Sequence, residues 1–357
     1  MNPFLAETNE RLARLSRYIH LILDLVQYFG YLRLKALVSS NPSLTPEKDI
    51  TVISSTLGEE ENYIETVRTW LRCDPKTINI ITVERAVKRM KTLIETLNDN
   101  RIKLYIVEKP DIRRQLTLGI QNTATEVVVL VDDDSQWSPQ TLRYLASAFS
   151  DPSVGGANTM QYVRPHLDCL STWESFGALN LVRRNILHSA VAYFNHGQVL
   201  NLSGRTVAYR TSILNNDEFF YVLLNDYWRG RFRITTGDDS FITSWIVNRG
   251  WETVFLKQRD AVILTTVNDN WTYLRQVLRW SRDTARHYLR DLGSALKTGR
   301  RRLYIRSFLN WISNYTTDFL VLTELTFLFV LLILGFCGFH YGRFDLPRYD
   351  LTICSQI

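Results

Sequence analysis

A chain of 357 residues, 45% hydrophobic and 22% charged, is too apolar to be a disordered tail and long enough for one large α/β domain with extensions, or for two domains. Its net charge of +6 is too mild to demand a nucleic-acid partner. Four scattered cysteines, Cys73, Cys169, Cys337 and Cys354, lack the spacing of a zinc site or disulfide framework, so a reducing, cytosolic setting is expected for the folded part.

Residues 11–38 carry Leu12, Leu15, Ile19, Ile22, Val26 and Phe29 at steps of three and four, which predicts a helix. His20, Asp24 and Gln27 interrupt its apolar stretch, so it reads as lying on a membrane or on the domain rather than spanning a bilayer. No cleavable signal peptide is expected, because Arg11, Arg14, Arg17 and Asp24 break up the same stretch. A Pro- and Ser-containing linker at 41–46 leads into alternating elements: a strand at 49–54, a helix through Tyr63, Val67 and Trp70, and a strand at 78–83 with Glu84 at its tip. A helix at 86–97, a strand at 102–107 and a short helix at 113–120 follow. This alternation predicts an α/β fold with a doubly wound, mostly parallel sheet.

The next strand, V-V-V-L-V at 127–131, is apolar throughout, as expected of a strand buried on both faces. It ends in Asp132, Asp133, Asp134 and Ser135. Ligands in open α/β sheets bind beyond the carboxyl ends of parallel strands, so an acidic tip there suits a hard divalent cation. Strand alternation would send Asp132 and Asp134 one way and Asp133 the other. The competing reading is a solvated acidic turn that starts a helix. Strands are expected at 154–157, 160–163 and 261–265, a helix at 173–187, and a strand at 200–209 broken by Ser203-Gly204. Gly237-Asp238-Asp239 leads into an amphipathic helix at 241–248, where Asp238 can also serve as a simple cap.

Residues 271–292 set Leu274, Val277, Leu278, Tyr288 and Leu289 on one helical face beside a stripe of arginines, a pattern suited to a membrane interface. Gln276 and Trp280 share another face, with Arg279 alongside. Residues 319–339 are apolar except for Thr323, Glu324 and Thr326, long enough for a transmembrane helix, and the arginines before them would keep the main domain cytosolic. A lone span after so large a domain suggests a truncated bundle.

D-D-D-S at Asp132, G-D-D at Gly237 and Q-x-x-R-W at Gln276 occur in that order. Together they resemble the processive family 2 glycosyltransferases, the hyaluronan, chitin and cellulose synthases, with the fungal capsular-polysaccharide-synthase-like branch the closest fit. The resemblance covers about residues 48–340. It implies a GT-A-type fold in four segments: an N-terminal membrane-proximal helix and linker (1–46), a catalytic domain (47–268), an interfacial helix (269–302) and a transmembrane segment with its tail (303–357). It implies a membrane-bound enzyme that inverts configuration as it moves a sugar from a UDP-sugar to a glycan acceptor, with Mn²⁺ or Mg²⁺ as cofactor and no nucleic acid involved. By motif, Asp132 and Asp134 would hold the metal, and Asp132, Glu84, Arg114, Gln276 and Arg279 the nucleotide sugar. Asp239 would be the general base, with Trp280 and Asp238 on the acceptor side. Ser203-Gly204-Arg205 with Tyr209-Arg210 resembles the acceptor-side segment. The chain departs from the pattern at Ser55-Thr56-Leu57-Gly58-Glu59, where the family has a Pro-x-Tyr-Asn-Glu turn. It departs again at Glu84, where the family has an aspartate that contacts uracil. Two other classes compete: a two-metal phosphoryl-transfer enzyme, which also uses G-D-D, and a truncated, non-catalytic nucleotide-sugar-binding protein.

Overall fold

The computed structural model describes residues 21–298, apart from 23, 36–41, 168, 196, 198 and 200. All lie within one compact unit, Arg17–Asn310. Its centre is a seven-stranded sheet built from β1 (Ile50–Ser55), β2 (Thr77–Val83), β3 (Ile102–Val107), β4 (Val127–Val131), β6 (Val154–Thr159), β8 (Thr206–Arg210) and β11 (Glu252–Leu256). The strand order is β11-β6-β8-β4-β1-β2-β3. Every pairing is parallel except those of β8, which runs antiparallel to both β4 and β6. A second sheet joins three short strands, β5 (Gln136–Trp137), β12 (Ile263–Thr265) and β7 (Gln161–Val163).

The expected all-apolar strand is buried along its whole length, as β4 at the centre of the sheet. Helix α1 (Tyr63–Leu71) contributes Val67 and Trp70 to the core on one face of the sheet, with Leu142 and Leu145 of α4 (Thr141–Ala148). On the other face, α3 (Ile112–Gln121), α6 (Asp217–Leu224) and α7 (Asp238–Asn248) bury Leu116, Ile120, Phe219, Ile242 and Ile246. Helix α2 is Val87–Leu97, and α5 runs from Thr172 to Phe194, seven residues past its expected end. Periodicity gave no warning of β11 or of the hairpin β9–β10 (Tyr227–Trp228 and Phe232–Arg233).

The antiparallel strand positions the site. The carboxyl ends of β1, β2 and β4 share one edge of the sheet. Because β8 runs the opposite way, with Val131 beside Thr206, it brings the Ser203-Gly204-Arg205 segment that precedes it to that same edge.

The last described helix is α8 (Thr272–Thr298). Its leucines face outward, with Leu274, Leu278 and Leu289 each at least half exposed, while Asp283 and His287 are buried. No helix among the described residues is long and apolar enough to cross a membrane. That finding overturns the membrane localisation expected from the sequence. The expected span at 319–339 and the first part of the expected N-terminal helix lie outside the described residues.

Candidate active site

The three aspartates after β4 have different surroundings. The backbone turns there, with the Ser135 N–H donating to the Asp132 carbonyl at 3.1 Å. The Trp70 indole N–H secures that turn by donating to the Ser135 carbonyl at 2.7 Å. Asp133 accepts a 2.7 Å hydrogen bond from the Thr56 hydroxyl at the tip of β1. Asp134 turns to β12, where one oxygen accepts from the Thr265 hydroxyl (2.9 Å), the Thr266 N–H (3.0 Å) and the Thr266 hydroxyl (2.8 Å). Asp132 has no donor on its carboxylate among the described residues and is open to the cleft. The period-two reading fails here because the strand ends at Val131 and the aspartates belong to the turn.

Asp132 lines one cleft with Ser55, Gly204, Tyr209, Asp238 and Asp239. Asp238 and Asp239 open α7 directly after Gly237, whose φ of +66° suits glycine and disfavours any side chain. Asp239 is latched from both sides: one oxygen accepts from the Gly204 N–H at 3.2 Å, the other from the Ser240 N–H at 2.7 Å. A side chain at Gly204 would begin 3.3 Å from the Asp239 Cβ, so glycine permits this approach.

Helix α8 packs against α7 and the residues just before it. Asp283 accepts from the Thr236 hydroxyl at 2.9 Å, just before Gly237, and Asp291 accepts from Ser244 of α7 at 3.1 Å. Trp280 lies beneath the Arg205 guanidinium, 5.0 Å from ring centroid to charge. Arg279 is exposed, and Gln276 accepts at 3.5 Å from Asn268. Glu84 stands exposed at the tip of β2, outside the residues lining the cleft, beside an Arg85–Glu59 ion pair of 2.6 Å. Arg114 is 59% exposed and leans toward Asp111 at 3.7 Å. Arg210, read as part of the acceptor segment, instead pairs with Glu126 at 2.9 Å at the far end of β8.

Arg113, which the family resemblance set with Arg114 near the nucleotide, is joined here by contributors that escaped the sequence reading. Arg113 is fully buried and donates to the carbonyls of Leu223 (2.8 Å) and Thr236 (3.1 Å). Its guanidinium lies 3.0 Å from Asp226, a charge contact rather than an aligned hydrogen bond, and Asp226 meets Arg290 of α8 at 2.7 Å. Nothing local marks Asp226 in the sequence. Thr265 and Thr266 follow an expected strand, and their hydroxyls opposite an acidic tip were the available clue. Arg184 of α5 lies within electrostatic reach of Arg205 and Asp239, with no motif around it.

Crowding shapes the charges. Asp132 is exposed to the cleft, but the protein crowded around its carboxylate, with Asp134 close by, pushes its pKa up to about 8, opposed by Arg205 and reinforced by Asp238. Asp133 is pushed up to about 6, mainly by burial. Burial and the adjacent Asp239 raise Asp238 to about 6, with Arg113 and Arg279 opposing. A carboxylate this reluctant to ionise, open to a cleft and crowded by like charge, fits a divalent cation, which would relieve the repulsion. No group of three or more His, Cys, Asp or Glu side chains among the described residues is arranged to hold a metal ion unaided. Further oxygen ligands would have to come from water or substrate.

A family model described as glycosyltransferase-like family 2 matches residues 46–283. A type 2 glycosyltransferase of Zymoseptoria tritici is 32% identical over 278 residues, covering 77% of this chain and 58% of that protein. A type 2 glycosyltransferase of Gibberella zeae is 27% identical over 344 residues, covering 95% of this chain and 63% of that one. The chain thus spans about three fifths of the length of these curated relatives. Among solved structures, the mannosyltransferase PcManGT from Pyrobaculum calidifontis, in complex with GDP-Man and Mn²⁺, superposes with a TM-score of 0.60. It is 18% identical and covers 92% of this chain and 91% of its own, a likeness of GT-A-like fold.

Proposed function

Since the chain belongs to the glycosyltransferase-like family 2, we propose that it transfers a sugar with inversion from a nucleotide donor, a UDP-sugar, to a hydroxyl of a glycan acceptor. The observation that carries this reading is the single cleft in which Asp132, at the end of β4, faces Asp238 and Asp239, at the start of α7. Asp239 takes the proton from the acceptor hydroxyl as that oxygen attacks the anomeric carbon opposite the departing diphosphate. Gly204 and Ser240 aim its two oxygens, so the base is held before substrate arrives. Arg279, extended from α8, stabilises charge on the leaving diphosphate, with Gln276 beside it. Trp280 gives the acceptor a flat ring edge near Asp239, and Asp238 borders the acceptor side. Glu84 accepts from the base of the nucleotide, and Arg114 lies toward the same end of the donor.

A divalent cation, Mn²⁺ or Mg²⁺, held by Asp132 with Asp134 beside it, would neutralise the diphosphate. Asp134 keeps one oxygen less encumbered, contacted among the described residues by the Ser135 hydroxyl alone, at 3.2 Å. The phosphoryl-transfer alternative is disfavoured because G-D-D opens an eleven-residue helix here rather than a strand hairpin.

The test is nucleotide release from a panel of UDP-sugars and GDP-mannose, with Mn²⁺, Mg²⁺ or EDTA. One donor should be turned over in a metal-dependent way. The Asp239→Asn variant should lose about 10²–10⁴-fold in kcat while donor affinity changes little. Full activity in Asp239→Asn would remove the proposed base, and donor binding without any turnover would favour the non-catalytic reading.

A further inference from the structure

Trp70, Trp137 and Trp245 are core residues, but Trp271, just before α8, is 73% exposed and the most exposed tryptophan among the described residues. Its indole leans on Trp173 of α5, with ring centroids 4.7 Å apart and planes at 60°. Trp173 is half-buried and also meets Phe176 at 6.2 Å, edge to face. Phe176 is itself 53% exposed. Three aromatic rings gathered at one place, two of them mostly in water, form a patch rather than a scattered surface residue.

The patch continues into the residues of the site. On α8, Tyr273, Gln276 and Trp280 are three and four residues apart and share one face, which runs on to the buried Asp283 and His287. Tyr273 is buried on that face, and its ring lies 6.4 Å from Trp173. Trp280 follows two turns later, about 10 Å along the helix axis. The loop that carries Trp271 is anchored along its length. It begins at Thr266, which donates twice to Asp134. Asn268 donates to Gln276 at 3.5 Å, and Asn270 accepts from the Thr272 N–H at 2.9 Å. Gly177 of α5 lets the loop come close, since a side chain there would begin 2.7 Å from a Val267 methyl. Trp271 is therefore held in a fixed place, with the exposed Asn268 and Asp269 on the same loop.

We propose that Trp173 and Trp271, with Phe176 at their edge, form a distal acceptor subsite. A sugar ring of an oligosaccharide stacks there, beyond the ring whose hydroxyl meets Asp239. The proposal rests on the glycosyltransferase reading, since it takes Trp280 and Asp239 as the acceptor end of the cleft. A pyranose has a C–H face that an indole covers and a rim of hydroxyls that amides and carboxylates satisfy. Aromatic rings beside Asn268 and Asp269 match both parts. The acceptor so selected is a chain of several sugars rather than a monosaccharide. The rival occupant is a second copy of this chain, which would bury the same rings.

The experiment is calorimetric titration of the full chain, first with UDP and GDP, then at saturating nucleotide with di- and tetrasaccharides of β-1,4-linked glucose and of β-1,4-linked N-acetylglucosamine. In one series the tetrasaccharide should bind about threefold to tenfold tighter than the disaccharide, the size of one aromatic contact. Trp271→Ala should abolish that gain, and Trp271→Phe should keep most of it. Trp271 stands mostly in solvent, so its truncation leaves the core packed. Affinity that does not grow with length in either series of the unmodified chain would overturn the proposal and needs no variant to fold. So would a gain that survives in Trp271→Ala. If that variant also sediments as a smaller species than the unmodified chain, the patch belongs to a second copy. Absence of any nucleotide binding in the first titration would instead count against the glycosyltransferase reading.

Discussion

Asp226 shows how much one side chain can organise here. It is 6% exposed and joins two arginines from distant parts of the chain, Arg113 on α3 and Arg290 on α8. Arg113 in turn holds the Thr236 carbonyl, one residue before Gly237. Replacing Asp226 by Ala leaves a fully buried guanidinium without its counter-charge, and should cost about 3–5 kcal/mol in urea-induced unfolding. The double variant Arg113→Met/Asp226→Ala should recover much of that loss, because it removes the stranded charge. A double variant no more stable than Asp226→Ala would mean that Arg113 does not depend on its partner. The same scale explains the acidic triplet. Three identical residues in a row have three environments, set by Thr56, by Thr265 with Thr266, and by open cleft.

At the scale of elements, α8 packs its polar side against α7. Asp283, His287 and Asp291 recur every four residues and face the start of α7, while leucines point away. Asp283→Ala removes the Thr236 contact and should make α8 more labile. Limited trypsin digestion would then cut at Arg279, Arg282 or Arg286 several-fold faster than in the unmodified chain, because local opening exposes the cleavage sites. An unchanged digestion rate would assign the hold on α8 to other contacts. This helix also marks where sequence reading succeeds and fails. Its period was plain, but periodicity measures amphipathicity and cannot say which face meets the protein. The central strands were legible because full burial demands an unbroken apolar run, as in Val127 to Val131. The antiparallel course of β8 was hidden, since strand direction leaves no trace in composition. Asp132, Asp238, Asp239 and Gly204 were found from motifs and share one cleft. Asp226 was missed because its role comes from partners far away in the chain.

For the molecule as a whole, the buried charges set a pH dependence. Asp132 is raised to about 8, so the folded protein holds a proton there that the unfolded chain has released above about pH 4. That contribution to stability is present at low pH and is lost as pH rises through 8. His287 is lowered to about 4, mainly by burial, and His188 is lowered well below its ordinary value for the same reason, so both act with the opposite sign below about pH 6.5. Between pH 6.5 and 8 the Asp132 effect stands alone among these groups. The melting temperature of metal-free protein should fall across that window, and Mn²⁺ should flatten the fall by replacing the proton. A flat profile from 6.5 to 8 would show that the carboxylate cluster is already ionised. The inserted strand β8 also bears on how the molecule is made. The bond between Asp132 N–H and the Arg205 carbonyl, and the ladder from Val131 to Thr206, join segments more than seventy residues apart. Contacts so distant close late, because a long loop must first be ordered. On an emerging chain the half of the cleft at Asp132 therefore stays open until β8 has been synthesised and turned back into the sheet, so assembly of the pocket marks the end of folding rather than its start.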